Sequence, residues 1–353
     1  MKDIATTILA ALDDGRQIEP FSESDGSFDL DAAYAAADAV IAARIARGER
    51  PVGWKIGFTN RTIWDEYGVR APIWGPTYDT STYGLDPEQG HAELDISTFI
   101  EPRIEPEIVF RVARTPRADM DDRDLLSCID AVAHGFEVVQ SVYPGWRFSA
   151  ADTVAAAAMH GALLHGPMLP IDHNAAADWI RRLESFEIVL FRNEIEVDRG
   201  SARNVLDGPL AAFRHFAAGL EERPMARGIE PGDVVTTGTV TRAFPVEADE
   251  IWSTRVEGLT LPGMRLHFLP TLPERTARLI EQAAQARLRM ENPDACSSST
   301  EHEQAVTTSI AAETALSRLL LRDRVGLADA MMAVEKRVRA LAESWKSKSR
   351  PSS

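Results

Sequence analysis

Two glutamates in one short segment are the first residues whose spacing suggests chemistry. Segment 101–112, EPRIEPEIVFRV, alternates apolar and charged residues, which is typical of a β-strand. Glu105 and Glu107 then point to the same side, with roots about 7 Å apart. Such a face is either solvated or turned towards a shared cation, and the segment alone leaves both interpretations open.

Glu137 is the third carboxylate of interest. It lies in the strand-like segment HGFEVVQSV, 134–142, where its apolar neighbours indicate burial. An unpaired buried charge costs several kcal/mol, so Glu137 needs either an arginine partner or a cation shared with other carboxylates. If three carboxylates converge, their hard oxygen atoms suit Mg²⁺ or Mn²⁺.

Lys55 and two histidines complete the polar candidates. Lys55 lies in the apolar, glycine-flanked segment PVGWKIGF, 51–58, where a surface position is favoured over a cation placed at a site. His160 and His165 are five residues apart, which fits neither one helix face nor a common zinc pattern. We therefore expect them to form local hydrogen bonds. The sequence has no P-loop, dinucleotide-binding, nucleophile-elbow or H-E-x-x-H motif.

Composition narrows the classes of partner. The net charge of −16 and the pI near 5.0 argue against sequence-independent binding to nucleic acid or an anionic membrane. Two cysteines, Cys128 and Cys296, do not make a disulfide framework. The first twenty residues have too short an apolar run for a signal peptide or a membrane span, so we expect a cytoplasmic protein.

The elements that must position these residues are mostly short strands. The positions of glycine and proline, together with the hydrophobic periodicity, predict helices, strands and a loop over 70–90. The predicted helices are 31–47, 60–68, 121–132, 150–161 and 209–223. The predicted strands are 51–58, 101–112, 134–142, a hairpin from 184 with its turn at Arg192-Asn193, and GDVVTTGTV, IWSTRVEGL and GMRLHF. This order favours a β-rich mixed fold over alternating βα units.

The chain divides near residue 270. We expect a catalytic domain over 1–270, whose residues 1–50 are helical, and a helical extension over 271–353. Within the extension, 291–304 is polar and serine-rich and predicts a linker, and apolar residues at helical spacing follow it. Packing or dimerisation is favoured for the extension over an active-site lid.

Seven motifs in register resemble a known family. They are GWKIGFTN, EPEIVF, FEVVQS, AADTVAAAAMHGALLHG, NVLDGPLAAF, GDVVTTGTVTRAFPV and VEGLTLPGMRLHF. Together they resemble the 2-keto-4-pentenoate hydratase / 4-oxalocrotonate decarboxylase branch of the fumarylacetoacetate hydrolase superfamily, from about residue 5 to 270. The resemblance implies an α+β, β-rich mixed fold of the fumarylacetoacetate hydrolase C-terminal-domain type, with an added C-terminal helical extension.

The resemblance also implies a site. It implies a Mg²⁺ or Mn²⁺ ion, a small-molecule 2-oxo acid substrate and a homo-oligomer, without nucleic acid or membrane partners. The matching positions are the metal ligands Glu105, Glu107 and Glu137, the substrate-side Lys55, and the ligand-contacting Thr236, Thr237 and Gly238. Asp79 is a candidate acid/base group because loops near such sites often supply one, and a plain turn aspartate is the alternative.

The implied activity is a hydratase that adds water to a 2-oxo/2-hydroxy dienoic acid in aromatic-compound breakdown, through a metal-stabilised enolate. A 2-oxo-hexenedioate-type decarboxylase, an acylpyruvate C–C hydrolase and a non-catalytic partner of such an enzyme are the alternatives. Two segments depart from the family: 67–83 lacks the acidic, methionine-containing loop of the hydratases, and 155–158 is an alanine tract. These departures leave the far end of the substrate and the activation of water open.

Overall fold

The chain forms two compact units, Met1–Leu269 and Pro270–Ser353. The computed structural model describes residues 2–85, 91–291, 298–322 and 327–348. Strands and helices are mixed throughout the first unit and the second is helical, so the predicted α+β fold with a C-terminal helical extension is confirmed.

Helices of the first unit begin where the sequence offers caps. Asp29 accepts a hydrogen bond from the Ala32 N–H at the start of one helix, and Ser149 and Asp152 form a capping box at another. The helices are α1 (Lys2–Asp13), α2 (Phe21–Ser24), α3 (Leu30–Ala46), α4 (Trp64–Tyr67), α5 (Asp122–Leu126), α6 (Ala150–Ala155), α7 (Ala176–Leu183) and α8 (Pro209–Glu222).

Fourteen strands form two sheets in the described part of this unit. The strands are β1 (Pro51–Gly57), β2 (Ile73–Tyr78), β3 (Thr82–Gly84), β4 (Ala92–Leu94), β5 (Arg103–Val112), β6 (Ile129–Val139), β7 (His160–His165), β8 (Leu169–Pro170), β9 (Glu187–Arg192), β10 (Ile195–Ser201), β11 (Val234–Thr239), β12 (Phe244–Pro245), β13 (Ile251–Glu257) and β14 (Arg265–Phe268). The nine-stranded sheet has the order β2-β1-β11-β5-β6-β7-β3, with β12 paired to β5 and β8 to β6. The five-stranded sheet has the order β10-β9-β13-β14-β4.

One face of the larger sheet supplies the core. Its β5 residues Ile108 and Phe110 are fully buried in a cluster that includes Phe213 of α8. Further along the same face, Phe136 of β6 packs in a cluster with Trp252 of the smaller sheet. Because side chains alternate along a strand, the intervening residues, including Glu105 and Glu107, are committed to the opposite face.

Several predicted segments of the first unit differ from the structure. The helix predicted over 150–161 ends at Ala155, and β7 begins at His160. Residues 70–90 were expected to be a loop, but 73–78 form the fully buried strand β2; residues 86–90 lie outside the described part of the chain. β2 is an edge strand that pairs with β1 only, so Pro76 is tolerated there. The helix predicted over 121–132 ends at Leu126, and 129–132 belong to β6 because strand pairing with β5 overrides local helix propensity.

The second unit consists of helices α9 (Leu272–Glu291), α10 (Ser299–Arg322) and α11 (Leu327–Lys348). Its apolar core includes Ala284, Leu316 and Val334, one from each helix. The predicted linker is partly wrong, because residues 299–304 belong to α10; residues 292–297 lie outside the described part of the chain. None of the described helices is long and apolar enough to cross a lipid bilayer.

Candidate active site

Pairing of β5 with β6 brings the three glutamates together. Glu105 lies directly opposite Glu137 in the antiparallel register, and Glu107 lies opposite Gly135. One carboxylate oxygen from each of the three lies within 4.8 Å of the others. We call Glu105, Glu107 and Glu137 the glutamate cluster. Glu107 and Glu137 are fully buried, so this strand face is not a solvated one, and the shared cation stays a prediction.

Two members of the glutamate cluster have raised pKa values. Burial raises the pKa of Glu105 to about 7, partly offset by the charge of Lys55. Glu107 is fully buried, and burial together with the charges of Glu137 and Glu105 raises its pKa well above the usual range. Glu105 lines a cavity, and its shift is smaller because the charges of Lys55 and Arg103 both oppose it.

Lys55 is the cation of the cluster. β1 pairs with β11 and carries Lys55 onto the face of the glutamates, where only 4% of its surface is exposed and Nζ lies 3.3 Å from Oε2 of Glu137. Burial alone would lower its pKa, but the three glutamates raise it. Burial alone would raise the pKa of Glu137, yet Lys55 and a hydrogen bond from His160 lower it to about 2. The surface interpretation of Lys55 is wrong.

His160 fixes the other oxygen of Glu137. Its Nδ1 lies 2.8 Å from Oε1 of Glu137, and its Nε2 lies 2.9 Å from the Ser81 hydroxyl oxygen. Both side chains of the His160–Glu137 contact are withdrawn from solvent, and burial lowers the pKa of His160. The ring is therefore neutral, and Nδ1–H donates to the carboxylate. The expectation of local hydrogen bonding is therefore wrong for His160, whose partners come from other strands and loops, whereas His165 does bond locally, to the Gly166 carbonyl at 2.9 Å.

Glycine at position 238 gives Glu107 a backbone donor. The Gly238 N–H donates to Oε2 of Glu107 at 2.7 Å. Its φ is +103°, and an added Cβ would lie 1.8 Å from the Thr59 hydroxyl oxygen, so only glycine fits. Oε1 of Glu107 is buried and receives no hydrogen bond from any described residue. This oxygen is free to bind a cation.

The two predicted threonines have unequal surroundings. Thr236 is fully buried beside Lys55 in the β1–β11 register, and no described residue hydrogen-bonds to its hydroxyl. The Thr237 hydroxyl instead donates to the Ile108 carbonyl at 2.9 Å, which holds β11 against β5. Gly238 lines the cavity. The roles of all three in ligand binding remain predictions.

A cavity of about 410 Å³ opens onto the glutamate cluster at Lys55 and Glu105. Four of its lining residues have a positive φ although none is glycine: Phe58 (54°), Trp146 (59°), Ala158 (52°) and Met159 (64°). Such backbone conformations cost about 1–3 kcal/mol each and gather at functional sites. The strain therefore supports this cavity as the place where a ligand binds.

Asp79 does not line the cavity. Its carboxylate accepts hydrogen bonds from the backbone and the guanidinium of Arg50, both at 2.9 Å. These two contacts lower the pKa of Asp79. The structure gives Asp79 a role in anchoring the segment before β1, and the acid/base role remains a prediction without structural support.

Arg103, Trp146 and Phe148 line the cavity but were not identified as site residues from the sequence. Arg103 could have been found, because it precedes Glu105 by two residues and must share its strand face. The two aromatic residues lie in a loop after β6 and carry no periodic signal. His160 was identified from the sequence but not connected with Glu137.

Comparisons with known proteins agree with the geometry. No family model matches the sequence. A 4-oxalocrotonate decarboxylase from Pseudomonas sp is 28% identical over 204 residues, 58% of this chain and 74% of that relative. The 2-keto-4-pentenoate hydratase 2 of Dechloromonas aromatica (strain RCB) is 28% identical over 261 residues, 72% of this chain and 93% of that relative.

A solved structure shares the fold. The 4-oxalocrotonate decarboxylase from Pseudomonas putida G7, complexed with magnesium and adipate, superposes with a TM-score of 0.68 at 25% sequence identity. The match covers 76% of this chain and 97% of that one. Sequence and fold thus confirm the resemblance: the chain is similar to 2-keto-4-pentenoate hydratases and to 4-oxalocrotonate decarboxylases.

Proposed function

We propose that this protein is a divalent-metal-dependent hydratase that adds water to a 2-oxo/2-hydroxy dienoic acid in the breakdown of aromatic compounds. The glutamate cluster carries the proposal, because its ligand atoms lie within 4.8 Å of one another beside a cavity. The hydratases among the relatives support this choice of reaction.

The donor set fits Mg²⁺ or Mn²⁺. Three carboxylates offer hard oxygen atoms, and Oε1 of Glu107 lacks a hydrogen-bond donor among the described residues. Two of the three carboxylates have raised pKa values, because burial and mutual repulsion oppose their charges. A divalent cation removes this penalty. When bound, it supplies a Lewis acid for the carboxylate and 2-oxo end of a substrate.

Residues around the glutamate cluster orient the substrate. Lys55 places a positive charge at the end of the cavity where the 2-oxo acid group binds. Apolar side chains, including those of Ile73, Phe148 and Met159, line the cavity and suit the unsaturated carbon chain. Protonation at the far carbon of the dienol gives an unsaturated ketone, and water then adds across its double bond.

Decarboxylation is the second candidate. A 4-oxalocrotonate decarboxylase is among the similar sequences, and another is the similar solved structure. Loss of CO₂ from a 2-oxo-hexenedioate and proton transfer in a dienol both build charge on the 2-oxo oxygen. One site can therefore serve either reaction, and the substrate decides between them.

An ultraviolet assay tests the proposal. Freshly generated 2-hydroxypenta-2,4-dienoate and its dicarboxylic counterpart are each followed with Mg²⁺, and the products are identified by mass. We expect the gain of one water, loss of turnover with a chelator and recovery with Mg²⁺. Release of CO₂ from the dicarboxylate would instead establish the decarboxylase, and no turnover of either substrate would contradict both.

We also propose a cytoplasmic homo-oligomer with a catalytic domain over 1–270 and a helical extension over 271–353. The acidic composition, the pattern of two cysteines and the family resemblance support this proposal. Light scattering of the full chain and of a variant lacking 291–353 tests it. Lost assembly with retained turnover would support a structural extension, whereas lost turnover in a correctly assembled variant would favour a lid.

A further inference from the structure

A contiguous group of aromatic side chains lines the cavity: Phe58, Tyr67, Trp146 and Phe148. The ring centroid of Tyr67 lies 5.3 Å from that of Phe58 and 5.3 Å from that of Phe148, on which it stacks at 21°. Trp146 continues the row, with its ring centroid 6.1 Å from that of Phe148. We call these four residues the aromatic wall.

The aromatic wall belongs to the same cavity as the glutamate cluster. The segment after β1, the strand that carries Lys55, supplies two of its residues, and the segment after β6, the strand that carries Glu137, supplies the other two. Lys55 and Glu105 line the cavity together with the aromatic wall. A ligand held at the glutamate cluster can therefore also contact the aromatic rings.

Hydrogen bonds hold the aromatic wall in place. The Trp146 indole N–H donates to the Glu101 carbonyl at 3.1 Å, and the Trp64 indole N–H donates to the Phe58 carbonyl at 2.7 Å. Phe58 and Trp146 both have a positive φ, a strained conformation that gathers at functional sites. Rings that are already fixed lose little conformational freedom when a ligand binds, which favours affinity.

Arg103 packs against the aromatic wall. Its guanidinium carbon lies 4.2 Å from the centroid of the Trp146 ring. A guanidinium is planar and stacks on aromatic rings by its face. This contact therefore lengthens the flat surface at this part of the cavity.

The cavity is larger than the simplest dienoic substrate. 2-Hydroxypenta-2,4-dienoate occupies about 240 Å³ even if each of its non-hydrogen atoms takes the roughly 30 Å³ of a liquid water molecule. The cavity has a volume of about 410 Å³. The remaining space, bordered by aromatic rings, suits an apolar and planar group of the ligand.

We propose that the aromatic wall binds an aromatic ring on the substrate carbon farthest from the acid group, so that the protein favours a 5-aryl-2-hydroxypenta-2,4-dienoate over the unsubstituted acid. The 2-oxo acid end of this ligand rests on the proposed function above. The ring rests on the four contiguous aromatic side chains and on the size of the cavity. The substrate remains a monocarboxylic dienoic acid.

Calorimetry with Mg²⁺ and saturated 2-oxo acids tests this specificity. 2-Oxo-5-phenylpentanoate and 2-oxopentanoate share the 2-oxo acid end and differ by one phenyl ring. We expect the wild type to bind the phenyl compound at least about tenfold more tightly, because the ring leaves water. 2-Oxo-5-cyclohexylpentanoate separates aromaticity from size, and it should bind about threefold or more weakly than the phenyl compound.

Phe148→Leu removes a ring from the aromatic wall and keeps an apolar side chain. The preference for the phenyl compound over 2-oxopentanoate should fall at least about threefold in this variant, and Tyr67→Leu tests the neighbouring ring in the same way. Phe28→Leu is the matched control, because Phe28 is half-buried and packs on Phe21 with ring centroids 5.7 Å apart, outside the cavity. It should change the preference less than about twofold.

Three results would overturn the proposal while leaving the proposed function intact. The wild type would bind the phenyl compound and 2-oxopentanoate equally, the cyclohexyl compound would bind as tightly as the phenyl compound, or both variants of the aromatic wall would retain the full preference. Failure of every 2-oxo acid to bind in the presence of Mg²⁺ would instead refute the proposed function on which the proposal rests.

Discussion

The described part of the protein contains two clusters in which three glutamates surround one basic side chain, and the two clusters differ in burial. In the glutamate cluster, Glu137 is fully buried and Lys55 is 4% exposed. In the second cluster, Arg199 contacts three glutamates of which 43–48% of each side chain is exposed. We call this the surface cluster; its glutamates are Glu187, Glu196 and Glu257.

Exposure to solvent changes the pKa values of the glutamates, although both clusters contain three glutamates and one basic side chain. In the surface cluster, hydrogen bonds from Arg255 and Arg199 lower the pKa of Glu257, so its charge is stable without further help. In the glutamate cluster, burial raises the pKa of Glu107 well above its usual range despite the presence of Lys55. Three carboxylates and one lysine leave an excess of negative charge. Water does not screen this charge inside the protein, whereas a divalent ion can neutralise it.

Glu107→Gln should produce the largest effect. The amide keeps the shape of the side chain and an oxygen for the Gly238 N–H, but it removes one anionic ligand. We expect turnover and Mn²⁺ affinity to fall by more than about 100-fold. Titration calorimetry and the ultraviolet assay measure the two quantities.

Glu257→Gln in the surface cluster is the matched control. It should leave turnover and Mn²⁺ affinity within about threefold of the wild type. Unchanged metal content in Glu107→Gln would refute the assignment of the glutamate cluster as the metal site.

Mg²⁺ should stabilise the protein more at pH 8 than at pH 5. Between about pH 4.5 and 7 the metal-free folded state retains protons on Glu105 and Glu107 that the unfolded chain has released. Their contribution to the free energy of unfolding therefore falls as the pH rises through this window. Mg²⁺ competes with these protons, and a saturating concentration should raise Tm by about 5 °C or more at pH 8.

Thermal unfolding with and without Mg²⁺ at both pH values measures this difference. Taking the Mg²⁺-induced change at each pH cancels the contribution of other groups, such as His134, whose pKa burial lowers to about 4. Equal changes at pH 5 and pH 8, or the same pattern in Glu107→Gln, would contradict the prediction.

His160→Ala should have a smaller effect than Glu107→Gln. It removes the hydrogen bond that orients Glu137 but leaves all three carboxylates in place. We expect the affinity for Mn²⁺ to fall about 10–100-fold. His160→Asn places an N–H near the position of Nδ1 and should recover part of the loss, which a merely space-filling role would not produce.

Asp79→Asn should have the smallest effect. Asp79 binds Arg50 and does not line the cavity, so we expect turnover to change by less than about threefold. The ultraviolet assay and a pH profile measure it. A loss of 100-fold or more with an altered profile would instead support the acid/base role predicted from the sequence.

The sequence by itself determined the strand elements of the site. Alternation along 101–112 placed Glu105 and Glu107 on one face, and the apolar neighbours of Glu137 indicated its burial. Both signals are local, because a strand has a fixed period of two residues. The order of the seven motifs added the family resemblance, and that resemblance identified Lys55 as a candidate member of the site.

Only the tertiary structure decided which residues meet. The β5–β6 register sets Glu105 opposite Glu137, and the β1–β11 pairing brings in Lys55 from a position fifty residues earlier in the chain. Registers depend on the packing of the whole sheet, so no local pattern contains them. The same reason explains the buried strand β2, and the contacts of Arg103 with Trp146 and of His160 with Glu137.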